Sequence, residues 1–262
     1  MQIDLSNKNA VVCGSTQGIG KAIALQFAAS GANVVLVARN EESLRKVLRE
    51  LAASKKQNHN FIVADFSEPD VLKKKFHAFV SENPPVHILV NNTGGPKAGE
   101  ASKAETAEFE SAFRNHLICN QILVQAVIEG MKKEKYGRII NIISTSVKQP
   151  IRGLGVSNTI RAAVASWAKT LASELAPFGI TVNNILPGAT NTDRLNSLIQ
   201  TMSKNSGISV EEATNFWLRD IPTGRFGEPE EPAYAAAFLA SPLAAYINGI
   251  NLPVDGGRLQ TL

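Results

Sequence analysis

The sequence predicts a single α/β domain in which seven parallel strands form one doubly wound sheet with helices on both faces. Three observations carry this. Short β-branched apolar runs recur along the chain, stretches of helical periodicity separate them, and a glycine-rich turn follows the first run at once. Runs this apolar suit strands buried on both faces, and the intervening helices imply right-handed crossovers and parallel pairing.

The runs fall, in order, at 10–13 (AVVC), 33–37 (NVVLV), 60–64 (NFIVA), 86–91 (VHILVN), 138–143 (RIINII), 180–186 (ITVNNIL) and 249–254 (GINLPV). No Ser/Gly-rich linker, repeat or low-complexity tract interrupts them, so residues 1–262 read as one domain. The one long departure is a helical insertion over 191–226, where Leu195, Ile199, Met202, Phe216 and Trp217 could share an apolar face. It leaves from a strand's carboxyl end, where ligands bind in such sheets, so a substrate lid and a plain surface hairpin are both open readings.

Of the 262 residues 44% are hydrophobic, enough for a substantial core, and 27 Lys plus Arg against 23 Asp plus Glu give +4. The basic residues are scattered, which argues against a nucleic-acid partner. No apolar run reaches membrane-spanning length, and the first residues lack a charged and then apolar leader, so neither a membrane partner nor export is expected. Cys13 and Cys119 have neither metal spacing nor disulfide density. No metal site is expected, and a reducing, cytoplasmic setting is.

The first strand ends in Gly14, Ser15, Thr16, Gln17, Gly18, Ile19 and Gly20, and a helical pattern begins immediately. Glycines here let the backbone turn tightly and approach a pyrophosphate seated on the helix's first N–H groups. The second strand ends in Ala38 and Arg39, with no carboxylate for a ribose 2′-hydroxyl. Arg39 is either a solvated surface residue or the partner of a 2′-phosphate, and the missing carboxylate favours the second, hence NADP (NADPH) over NAD.

These residues resemble the short-chain dehydrogenase/reductase family, and within it the 3-oxoacyl-[acyl-carrier-protein] reductases. GSTQGIG is similar to the family's TGxxxGIG, with Cys13 for the threonine, and NNTGG to NNAG, with Thr93 for the alanine. Asn115 in FRNHL, Ser144 in INIIS, Pro187-Gly188 with Thr192, and the tail GRFGEPEE then VDGG match in kind and order. The resemblance implies a Rossmann-like fold and a cofactor site in which Gly14 to Gly20 cradle the pyrophosphate and Asp65 and Phe66 flank the adenine. It places Asn91 and Gly94 by the ribose, and Pro187, Gly188, Thr190 and Thr192 by the nicotinamide. It makes Ser144 catalytic, gives Asn115 a water of the proton relay, and implies a homo-oligomer, tetramer or dimer, with Ile118, Ile122 and Val156 among the apolar positions left for pairing.

One stretch departs from the pattern. The family's YxxxK tyrosine and lysine fall on Ser157 and Arg161 of SNTIR, which still share a helical face at i and i+4. An alcohol near water's pKa of about 15.7 lies roughly 8 kcal/mol in proton affinity from a tyrosine near 10, so Ser157 cannot act as the acid. Arg161 cannot release a proton at neutral pH, although its fork can bind hydroxyls, a carboxylate or a phosphate. Two readings stay open. One is an NADP-dependent oxidoreductase acting on a small carbonyl or alcohol, with Ser144, Ser157, Arg161 and Asn115 at the reacting centre and the proton from water or Lys148. The other is an NADP(H)-binding protein without turnover, acting as a binding or regulatory module. Lys148, Arg152 and Arg161 are candidate partners for an anionic group.

Overall fold

The computed structural model describes residues 3–261; the first two residues of the stretch read above for a leader lie outside the described residues. The strands are β1 (Asn9–Cys13), β2 (Asn33–Ala38), β3 (Asn60–Val63), β4 (Ile88–Asn91), β5 (Gly137–Ile142), β6 (Ile180–Pro187) and β7 (Asn251–Val254). They form one sheet in the order β3-β2-β1-β4-β5-β6-β7, every neighbouring pair parallel. The last run was expected from 249, but Gly249 sits at φ 72°, outside the extended region, and the strand begins two residues later.

Alternation along the strands explains the two helical layers. Ala10, Val12, Val34 and Leu36 face α1 (Gly18–Ala29), α2 (Glu41–Glu50) and, further on, a C-terminal helix at Glu230–Ala240. Val11, Cys13, Val35 and Val37 face α3 (Pro69–Glu82) and the long helices that follow β4 and β5. Phe27 on the first side and Phe76 on the second are fully buried, each contributing roughly 1.5–3 kcal/mol. Cys13 and Cys119 are both free and buried, and burial pushes the Cys119 thiol up to about 12.

After β4 the chain forms α4 (Thr106–Phe113), a π-helical segment Arg114–Ile118 and α5 (Cys119–Glu134). After β5 comes α6 (Gly155–Leu175). The insertion contains α7 (Asp193–Ser206) and α8 (Val210–Leu218), and α9 is Glu230–Ala240. Leu195, Ile199 and Ala213 form a small separate core with Met202 and Trp217 at its edge. Phe216, expected in that face, is instead exposed under the Arg219 guanidinium, 4.1 Å from its ring centroid. Val156, expected to be free for subunit pairing, is buried against Ala112 and Ile160 of its own chain, whereas Ile118 is 38% exposed. Among the described residues no helix is long and apolar enough to cross a membrane.

Candidate active site

In a parallel sheet all carboxyl ends lie on one edge, and the strand order here reverses between β1 and β4, where a crevice opens. A cleft of about 850 Å³ occupies that edge. At one end is the glycine turn. Gly14 holds φ 59°, and a side-chain carbon at Gly20 would collide with the Gly14 carbonyl oxygen, so both positions exclude larger residues. Helix α1 then starts with neither a side-chain cap nor an acidic residue in its first turn, leaving its leading N–H groups to an anion.

Most of the residues expected to bind a cofactor line this cleft: Gly14, Thr16 to Gly20, Arg39, Asp65, Phe66, Gly94, Pro187, Gly188, Thr190 and Thr192. The Ser67 backbone N–H donates to Asp65 at 2.9 Å and holds its carboxyl below the usual range. Thr192 caps α7, its Oγ1 accepting from the Leu195 N–H.

Two of the expected cofactor residues turn away. Ser15 is fully buried, its Oγ accepting from the Val37 N–H at 3.1 Å and joining the turn to β2. Asn91 lies inside the sheet, donating to Asn141 at 2.8 Å; Asn141 donates to Asn184 and Asn184 to Asn251, each at 2.8 Å, along one register line from β4 to β7. The side chain that reaches the cleft is the next one, Asn92, which also donates to the carbonyls of Cys13 and Gly14.

At the other end stand Asn115, Ser144, Ser157 and Arg161. The π-helical segment supplies Asn115; such insertions re-aim side chains and often mark functional sites. Ser144 accepts from the Ser146 N–H at 3.1 Å, which leaves its own O–H free to donate. Ser157 is 8% exposed, and its hydroxyl makes no hydrogen bond among the described residues. Arg161, 9% exposed, donates from Nη1 to the Ile142 carbonyl at 2.8 Å. Burial, and then the neighbouring Arg194 guanidinium, pull its pKa down to about 10, so it stays cationic at neutral pH. Lys148 and Arg152 are exposed and lie outside the cleft wall, because the loop after β5 carries them outward.

Sequence reasoning gave no role to Arg194, Arg258, Thr93 or His116. Arg194 donates to the Pro96 carbonyl at 2.6 Å and, with Arg258, puts guanidinium groups on the wall where Lys148 and Arg152 were expected. Trp217 also lines the cleft, and its indole N–H is buried without a partner among the described residues. Thr93 Oγ1 lies 2.6 Å from His116 Nδ1. Burial, then Arg161, lowers the His116 pKa to about 2 and keeps the ring neutral. The departure of NNTGG from NNAG at Thr93 and the histidine beside Asn115 were the available signals. Among the described residues no cluster of His, Cys, Asp or Glu is assembled for a metal.

The sequence model of the family described as enoyl-(acyl carrier protein) reductase matches residues 14–258. The chain belongs to the short-chain dehydrogenase/reductase family. An NADPH-dependent reductase, BacG, of Bacillus subtilis is 30% identical over 259 residues, covering 98% of this chain and all of that protein. A 3-oxoacyl-[acyl-carrier-protein] reductase of Vibrio cholerae is 34% identical over 255 residues, covering 97% of this chain and 98% of that one. Among solved structures, L-sorbose reductase from Gluconobacter frateurii in complex with NADPH and L-sorbose superposes with a TM-score of 0.92 at 31% identity, over 100% of both chains. The short-chain dehydrogenase/reductase fold is therefore present in full.

Proposed function

We propose that this protein is an NADP-dependent oxidoreductase that transfers hydride between NADP(H) and a small carbonyl or alcohol, working with Ser157 and Arg161 as they stand. The observation that carries the reading is one cleft running from an uncapped helix N-terminus and Arg39 to Ser144, Ser157 and Asn115. The NADPH-dependent relatives support the cofactor. The turn at Gly14 to Gly20 would hold the pyrophosphate, Arg39 the 2′-phosphate, Asp65 and Phe66 the adenine edge, and Thr190 and Thr192 the nicotinamide. When bound, the cofactor supplies or accepts the hydride.

The chain's own residues then have separate tasks. Ser144 and Ser157, each with a hydroxyl hydrogen free to donate, would hold the substrate oxygen. The Arg161 cation, kept in place by Ile142 and itself nearly buried, would favour negative charge on that oxygen. Ser157 is too weak an acid to give up the proton and Lys148 is outside the cleft, so the proton would come from water held at Asn115 and the two serines. Helices α7 and α8 would act as the lid, with Leu195, Leu198 and Trp217 against the substrate. Two buried thiols suit the cytoplasm, and the half-exposed Ile118 and Phe113 suit a homo-oligomer, dimer or tetramer.

The missing tyrosine favours a second reading, binding without turnover. NADPH consumption against a panel of carbonyl compounds decides between them: turnover on any compound supports the enzyme, and tight NADPH binding with none supports the binding module.

A further inference from the structure

Among the described residues the buried arginine other than Arg161 is satisfied from within. Arg138, 3% exposed, donates to the carbonyls of Gly137, Gly179 and Ser241, and its guanidinium lies 4.2 Å from the Tyr136 ring centroid. At the surface, Arg225 makes a two-pronged pair with Glu231 at 2.8 and 2.7 Å. Arg161 and Arg194 have neither arrangement. Each is tied by one nitrogen to one carbonyl, Ile142 for the first and Pro96 for the second, and among the described residues neither has a carboxylate within 4.0 Å. The remaining N–H groups of both belong to side chains in the wall of one cleft, next to Ser157 and at the root of the lid. Asp193, the nearest carboxylate in sequence, lines the same cleft but is exposed and forms no ion pair with either arginine.

Asp65 also lines the cleft, but no carboxylate stands within ion-pair distance of either guanidinium among the described residues, and two such cations facing one cavity are costly unless a ligand pairs with them. A guanidinium presents a planar fork matched to a carboxylate, and two such forks can grip both of its oxygens. The glycine turn and the α1 N-terminus, which serve an anion at the far end, belong to the β1 side of the cleft. Arg161 and Arg194 come from α6 and α7, at the reacting end.

We infer that Arg161 and Arg194 together bind a carboxylate carried by the substrate, so that the substrates are oxo acids or hydroxy acids rather than neutral carbonyls. This rests on the oxidoreductase reading. The carboxylate would sit against the two forks with the reacting oxygen beside Ser144 and Ser157.

The test uses the NADP⁺-loaded protein and straight-chain 2-oxo acids of four to eight carbons beside their methyl esters, with binding read by calorimetry. The acids are expected to bind at least tenfold more tightly than the esters. Arg194→Gln should erase that preference, and Arg194→Lys, which keeps the charge without the fork, should retain part of it. NADPH affinity of both variants should stay within threefold of wild type. Equal binding of acids and esters, or a preference that survives Arg194→Gln, would overturn the inference. A tenfold loss of NADPH affinity in Arg194→Gln would also overturn it, by assigning the cation to the cofactor's phosphates. Failure of the wild-type protein to bind NADPH at all would strike the oxidoreductase reading instead, and acid-over-ester binding to the cofactor-free protein would then still measure the arginine pair by itself.

Discussion

Arg161 donates from Nη1 to the carbonyl oxygen of Ile142 at 2.8 Å, which fastens a cation on α6 to the last residue of β5, two positions before Ser144. On the proposed reading, the residue at the lysine position thus stays tied to the strand that leads to Ser144. Removing the guanidinium takes away a charged donor from the cleft and leaves the Ile142 carbonyl unpaired. Arg161→Ala is expected to weaken substrate binding by about 1.5–3 kcal/mol, the usual range for a charged hydrogen bond, as titration calorimetry on the NADP⁺-loaded protein would show.

Arg39 lines the cleft at the end of β2, where no carboxylate competes for the ribose. NADPH should bind at least tenfold more tightly than NADH, about 1.4 kcal/mol, and Arg39→Ala should remove most of the difference. Equal affinities in the wild-type protein would refute the assignment.

His116 gives the fold an acid sensitivity whose sign is fixed. Its folded pKa is lowered from 6.5 to about 2 by burial and by Arg161, so below pH 6.5 the unfolded chain takes up a proton that the folded chain refuses. Stability from this residue is intact above pH 6.5 and falls as the pH drops below it. Urea titrations between pH 5.5 and 4.5 should show His116→Asn losing less stability per pH unit than wild type, by up to about 1.4 kcal/mol. Identical slopes would mean that the imidazole is protonated in the folded protein.

Trp217 is one of two tryptophans and the one in the cleft wall. Its emission should be quenched on adding NADPH, with the quenching lost in Trp217→Phe and kept in Trp167→Phe. Quenching carried by Trp167, which bonds Gln121 on the outer helices, would place the bound cofactor elsewhere.

The fold was legible because strands buried on both faces leave short β-branched apolar runs, and here these alternate in order with helical stretches. The site was legible only where a motif fixes the backbone. Gly14, Gly18 and Gly20 are dictated by local geometry and stand where expected. The facing of the Asn91 side chain depends on strand parity, and that of Ser15 on the contact the turn makes with β2. Val37 takes the Ser15 hydroxyl, and the asparagine line across four strands takes Asn91 and leaves Asn92 for the cleft. Arg194 escaped notice because it comes to the same cleft wall as Arg161 only through the fold, from the helix after β6, which no spacing along the chain encodes. Lys148 drew attention by its nearness to Ser144 in sequence, and the loop carries it to solvent.

The central question is whether Ser157 and Arg161 form a working pair or the remnant of a lost one. NADPH consumption by the wild-type protein and by Ser157→Tyr/Arg161→Lys, on one panel of oxo acids and neutral carbonyl compounds, answers it most directly. The expected result is turnover by the wild-type protein on at least one compound and slower turnover of that compound by the double variant, because the substituted side chains displace the water and the anion-binding fork. A folded wild-type protein that binds NADPH yet stays inert across the panel, beside a double variant that turns over, would contradict the assignment.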